Sequence, residues 1–156
     1  EENLISNTFY KEDFQKRGLL KFKEIRDYAN KLIDKYDIRS SRGPTSIARE
    51  MSGGNQQKAI IARETNRTHD FLVASQPTRG LDVGATEAVR QNLILQRDQG
   101  NAVLLVSEEL DELQMVADRI AVMFEGKIMG IRNVKETNTE ELGMMMAGAT
   151  VSRRNA

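Results

Sequence analysis

Cysteine and tryptophan are both missing from this chain, and proline occurs only twice. Without thiols there is no disulfide framework and no thiolate metal centre, which fits a reducing compartment. The single histidine, His69, sits in a polar turn with no catalytic or ligating partner beside it, so it reads as a solvated loop residue. No apolar run approaches the roughly 20 residues that span a bilayer, and no secretory pattern opens the chain. Neither sign of charge dominates: 23 Lys and Arg face 23 Asp and Glu, so no overall field favours nucleic acid or anionic lipid. The 156 residues suit one domain with a modest core. The lack of cysteine, of a spanning run and of a secretory pattern reads as cytosolic, and because the first residue is Glu1 and not Met we expect a piece of a longer protein.

Hydrophobic periodicity supplies the elements. Residues Ile25, Tyr28, Ala29, Leu32, Ile33 and Tyr36 recur at i, i+3, i+4, i+7 and predict an amphipathic helix from about Lys21 to Tyr36. Its other face, with Lys23, Glu24, Arg26, Asp27, Lys31 and Asp34, is a solvated surface. The stretch Glu1 to Gly18 is polar and irregular and reads as a connector with room for one short helix, while Ile38 to Glu50 reads as a loop. Two short apolar runs, Phe71 to Ala74 and Ala102 to Val106, have the character of buried parallel strands. Between them a helix is predicted over Ala85 to Gln99, with Ala88, Val89, Leu93, Ile94 and Leu95 inward and Gly100 as its stop. A short helix over Glu108 to Ala117 follows. Strands Arg119 to Phe124 and Lys127 to Ile131 are separated by a hairpin-like Glu125-Gly126 turn. A last helix covers Thr139 to Met146, where Leu142, Met144, Met145 and Met146 read as packing surface. Strand, helix, strand, helix, strand is the grammar of an α/β fold with a parallel sheet.

The most informative stretch is MSGGNQQKAIIARE, Met51 to Glu64, followed by QPTRGLDVGAT, Gln76 to Thr86. Ser52 can cap a helix through its hydroxyl, and two glycines without Cβ atoms let another surface approach the first free backbone N–H groups. Such a helix start attracts phosphate, although the tripeptide alone serves equally as a plain loop-to-helix cap. The helix would bury Ala59, Ile60, Ile61 and Ala62 and end near Asn66. This helix start, the buried strand and the polar turn, in that order, resemble the ATP-binding-cassette family. Met51 to Asn55 looks like its signature motif, and Gly80, Leu81 and Asp82 look like its D-loop. The GNQQK and PTRGLDVGA runs look more narrowly like importers of simple sugars and nucleosides. The resemblance implies a partial P-loop NTPase domain: residues 1–50 a portion of the helical subdomain, 51–134 the signature helix, Walker B-like strand, D-loop and switch region of the parallel-sheet core, and 135–156 a C-terminal tail. No GxxxxGK[ST] occurs, so the Walker A portion is absent from this stretch.

An ATPase needs a phosphate cradle, a metal-holding carboxylate, a group that positions water and donors for the developing charge. Where the resembled family ends its Walker B strand in Asp-Glu, this chain has Ser75 and Gln76. A hydroxyl brings no charge to Mg²⁺, and an amide cannot accept a proton as a carboxylate does. The family's switch histidine is replaced at Glu108, followed by Glu109. No catalytic or metal-ligating set is therefore intact. In the resembled family two nucleotide-binding domains pair head to tail, which implies that Ser52, Gly53 and Gly54 cap an ATP held by the partner. Asn55 and Gln56 would support the helix start, with Arg79 and Asp82 near the dimer seam. The expectation is an asymmetric pair in which this domain, the second cassette of a two-cassette chain, completes a working site while its own is degenerate.

By the same resemblance ATP and Mg²⁺ belong to the full-length assembly, and this stretch alone is expected to hold neither tightly and to be inactive. The implied partners are a second nucleotide-binding domain, from the same chain or a second copy, and transmembrane permease subunits at the cytoplasmic face of the plasma membrane. The missing acids tilt the reading towards nucleosides. Strands left with open edges favour self-association of the isolated piece. Two other readings stay open: a non-transport cassette ATPase of DNA repair or chromosome organisation, which would normally carry coiled coils, zinc inserts or a basic stripe, and an interaction module with no nucleotide role.

Overall fold

Side-chain caps from Ser52, Asp82 and Asn138 set three helix starts, and a few long-range apolar contacts set much of the rest. A computed structural model describes residues 1–149, so residues 150–156 of the expected tail lie outside the described residues. In chain order the elements are α1 (Glu2–Ile5), β1 (Gln15–Lys16), β2 (Leu19–Leu20), α2 (Phe22–Lys35), α3 (Gly53–Thr65), β3 (Phe71–Ser75), α4 (Val83–Asp98), β4 (Ala102–Val106), α5 (Leu110–Val116), β5 (Arg119–Phe124), β6 (Lys127–Asn133) and α6 (Thr139–Met146). Single 3₁₀ turns cover Gly43–Thr45, Ala48–Glu50 and Val134–Glu136. The described chain divides into two compact units, residues 1–72 with 77–104, and residues 73–76 with those from 105 onward.

The first unit is built on α2. Its inward stripe is Ile25, Ala29 and Leu32, spaced i, i+4, i+7, and the half-buried Tyr28 lies beside it. Ala29 and Leu32 pack with Leu4 of α1, Ile38 and Ala62 of α3, while Ile25 packs with Ile5 and Phe14. The rings of Phe14 and Tyr28 sit 4.9 Å apart in a tilted pair. The expected connector thus supplies three core residues, Leu4, Ile5 and Phe14. Its helix of four residues and its two-residue strands are too short for a periodic signal. Polar contacts fasten α2 to the end of α3: Tyr36 Oη lies 2.9 Å from Thr65 Oγ1, and Asn66 Nδ2 donates to Tyr28 Oη at 3.2 Å.

Only Ala62 is fully buried on α3, and Ile60 is exposed, so the run from Ala59 to Ile61 is not the buried face that its composition suggests. On α4 the stripe is Ala85, Val89, Leu93 and Gln96. Ala88 and Leu95 face outward. Five apolar residues over Ala88–Leu95 cover too wide an arc for one helix face, and Gln96 takes the last buried place by accepting a bond from Asn101 Nδ2 at 3.0 Å.

Strands β3 and β4 pair in a two-stranded sheet. Ala102 N–H donates to Asp70 C=O at one end and Gln76 N–H to Val106 C=O at the other, so both strands advance in the same direction. Both were expected to be buried on each face, yet Phe71, Val73, Leu104 and Val106 are exposed, because a sheet of two strands here has one uncovered face. As the hairpin-like turn implies, β5 and β6 pair antiparallel, placing Ala121 opposite Ile131, and β5 is not the third strand of a parallel sheet with β3 and β4. Glu125 (φ 46°) and Gly126 (φ 77°) form the two-residue turn whose positive φ angles match strand twist. In this second unit Ile120 and Val122 of β5 pack on Leu142 and Met145 of α6. Asn138 caps α6 by accepting from Glu141 N–H at 2.9 Å, while Met144 and Met146 point outward.

Candidate functional site: a glycine-tipped helix and the end of β3

The α3 tip lies in the first unit. Ser52 is extended (φ −61°, ψ 153°), and its hydroxyl accepts from Asn55 N–H at 3.4 Å and from Asn55 Nδ2 at 2.9 Å. Asn55 Oδ1 in turn accepts from Arg39 N–H at 2.6 Å, and Gln56 Nε2 donates to Met51 C=O at 2.8 Å. Both amide side chains are therefore spent on holding the loop before the helix. Lys58 adds a further tie through Asp37, whose carboxylate Oδ2 it reaches at 3.2 Å. Lys58 first, and Arg39 second, hold the Asp37 carboxyl below the ordinary carboxylate range.

The two glycines differ. A Cβ on Gly54 would lie 3.3 Å from Ala85 Cβ and 3.4 Å from Asp82 Oδ2, so packing against the start of α4 accounts for its missing side chain. Gly53 is exposed, and a Cβ there would meet nothing within 4 Å. The residues of the turn after β3 are fixed from two sides. Asp82 caps α4, its Oδ1 accepting from Ala85 N–H at 2.9 Å. Leu81 N–H donates to Thr78 C=O at 3.1 Å, Gly80 takes the left-handed conformation (φ 73°), and Arg79 is exposed. Pro77 and Thr78 are buried, and Gln57 Nε2 donates to Pro77 C=O at 2.8 Å. Gln57 escapes sequence reasoning, since nothing in the GNQQK run distinguishes one amide from its neighbours.

The end of β3 belongs to the second unit. Ser75 is exposed as the last residue of the strand. Gln76 has left-handed backbone (φ 48°), and its Nε2 donates to Glu108 Oε1 at 3.3 Å. Ser107 Oγ accepts from Glu109 N–H at 3.1 Å and shapes the bend that carries Glu108. Among the described residues no three His, Asp or Glu side chains are grouped to hold a metal ion. Ser75 and Gln76 bring no charge towards Mg²⁺, so this end of the strand does not fit the metal shell of an ATP site, whereas the exposed start of α3 at Gly53 is left uncovered. His69 is half-buried, not solvated. Its Nδ1 lies 2.8 Å from Arg67 C=O, an acceptor, so this nitrogen carries the proton. Elsewhere in the first unit an apolar recess of about 300 Å³ is lined by Leu4, Ile33, Ile38, Met51, Ala59 and Ile60.

No protein-family model matches the chain. It is 52% identical over 149 residues to the guanosine import ATP-binding protein NupO of Bacillus subtilis, and 48% identical over 151 residues to the nucleoside import ATP-binding protein NupA of Lactococcus lactis. The glucose import ATP-binding protein TsgD13 of Haloferax volcanii is 40% identical over 147 residues. These matches cover 96%, 97% and 94% of this chain but only 29%, 30% and 27% of the relatives. Among solved structures, a dimeric ATP-binding cassette in a post-hydrolysis state with ADP and Pi superposes with a TM-score of 0.64 at 23% identity, over 84% of this chain and 56% of that one. An inward-facing metal-chelate type transporter gives 0.70 at 17% identity, over 94% and 56%.

Proposed function

We propose, for a chain that belongs to the ATP-binding-cassette family and matches the C-terminal part of its import ATP-binding proteins, that it forms part of the ATP-binding subunit of a sugar or nucleoside importer. In this reading the α3 tip completes an ATP site held mostly by a second nucleotide-binding domain, while the chain's own site binds nucleotide weakly or without turnover. Residues 1–50 supply the helical subdomain portion, 51–134 the signature, strand and turn region, and 135–156 a tail. Permease subunits at the cytoplasmic face of the plasma membrane complete the assembly. Nucleosides are the preferred cargo class, because relatives named for guanosine and nucleoside import stand at 52% and 48% identity and the glucose-named one at 40%.

The observation that carries the reading is Gly53. Packing accounts for a missing side chain at Gly54, but nothing within 4 Å accounts for it at Gly53. An exposed first turn leaves backbone N–H groups without intrahelical partners at the positive end of the helix, where a polyphosphate is stabilised. Bound ATP with Mg²⁺ would supply the phosphoryl group whose transfer to water drives transport. Ser52, through the bond to Asn55, keeps the tip shaped; Gly53 keeps it uncovered; Arg79 and Asp82 stand on the exposed turn after β3, where a paired domain would lie. The Ser75 hydroxyl and Gln76 amide offer no base of their own.

The test is ATP turnover by the complete transporter carrying Gly53→Val. Because a Cβ at this position meets nothing within 4 Å, the substitution should leave folding intact and reduce turnover about tenfold or more, the scale of losing one well-aimed donor set. Unchanged turnover would remove the α3 tip from the mechanism.

A further inference from the structure

The bond between Gln76 and Glu108 joins two positions 32 residues apart in sequence, and four observations in the second unit build it. Gln76 N–H donates to Val106 C=O at 2.8 Å, which fixes the end of β3 two residues before Glu108. The left-handed backbone of Gln76 (φ 48°) is uncommon for a side chain of its kind and is kept only where the surroundings enforce it. The Ser107 hydroxyl accepts from Glu109 N–H and holds the bend around Glu108. At 3.3 Å the Gln76 amide then meets the Glu108 carboxylate. A carboxylate only accepts, so the nitrogen of the amide has to be the group that faces it.

We propose that Gln76 and Glu108 are one matched unit: the carboxylate at 108 requires a neutral donor at 76, so the chain's own nucleotide site cannot be re-armed by an acid at 76 alone. This rests on the reading of that site as degenerate. The chemistry is direct. A Gln76→Glu substitution puts a second carboxylate where the donor was, and with no proton between them two acceptors replace one bond by like-charge repulsion. One of the pair must then leave its place or take up a proton, and neither outcome leaves a free base aimed by the β3–β4 end. Reversing the polarity, with Glu at 76 and Gln at 108, restores one donor and one acceptor at the same two positions.

A double-mutant cycle on the complete polypeptide tests this, with Q76E, E108Q and the exchange Q76E/E108Q. Two readouts are taken: the thermal unfolding midpoint without nucleotide, and ATP turnover. Q76E should lower the midpoint of the transition that unfolds this part of the polypeptide by about 2–4 °C, the shift that corresponds to a roughly fivefold loss in the folding equilibrium for like charges at contact in water. The neutral pair in E108Q should stay within about 1 °C of the parent, and the exchange should recover at least half of the Q76E loss. Q76E alone should leave turnover unchanged. Additive midpoints around the cycle, or a rise in turnover with Q76E alone, overturn the proposal. Because the midpoint needs neither ATP nor a partner, coupling there together with unchanged turnover in Gly53→Val would sink the trans-site reading while leaving the pair intact.

Discussion

Replacing Gly53 by alanine separates folding from function. Gly53 occupies the first position of α3, its backbone is outside the left-handed region, and the new Cβ would have no neighbour within 4 Å. The substitution therefore adds no clash, and it removes backbone freedom from the unfolded chain. Gly-to-Ala changes at compatible sites stabilise by about 0.4–1 kcal/mol. For a chain of 156 residues that corresponds to a rise of roughly 1–4 °C in the unfolding midpoint. The identical change at Gly54 should behave differently, because its Cβ would press on Ala85 Cβ at 3.3 Å and Asp82 Oδ2 at 3.4 Å and cancel the entropic gain. The assay is differential scanning calorimetry of parent, G53A and G54A, with ATP turnover of the complete transporter measured on the same three proteins. We expect G53A to gain stability and lose turnover, since a methyl group on the exposed first turn stands where a phosphate would approach. A G53A protein less stable than the parent would refute the packing argument. One that is more stable and equally active would show that the tip's openness serves nothing.

Two further outcomes follow from the packing and the charges. Truncating the fully buried Leu142 of α6 to alanine should cost about 2–5 kcal/mol, read as a lower urea midpoint, because it opens a hole against Ile120, Val122 and Met145. Asp37, held below its ordinary range by Lys58 and Arg39, contributes stability that is present above its unfolded pKa of about 3.9 and is lost as pH falls through the lower folded value. Asp37→Asn should therefore differ from the parent in urea midpoint at pH 7, and the gap should narrow as pH falls below about 3.9; a gap that stays constant through that fall would rule out this ion pair as the source.

How much of this was legible beforehand follows the range of the interactions. The bounds of α6 and the Glu125-Gly126 turn come directly from sequence, since caps, turn chemistry and 3.6-residue spacing are local. The α2 helix was placed to within a residue at each end. Core places of Leu4 and Ile5 are hidden because a helix of four residues has no period, and that of Phe14 because it lies outside any element. The hairpin of β5 with β6 is legible from its turn, whereas the order strand, helix, strand, helix, strand does not reveal that β5 stays out of the β3–β4 sheet. At the candidate site, the Ser52 cap was readable from residue type alone. The Gln57 bond to Pro77 and the Gln76 bond to Glu108 were not, for they join residues 20 and 32 positions apart.

Asp82 has a consequence for the electrostatics of the α3 tip. One of its oxygens caps α4, and the other lies 3.4 Å from where a Gly54 Cβ would stand, so a single carboxylate is wedged between two helix beginnings. Each beginning carries about half a positive charge. The anion that separates them also screens them from each other, which lets two poles of the same sign crowd into one corner of the molecule without driving it apart.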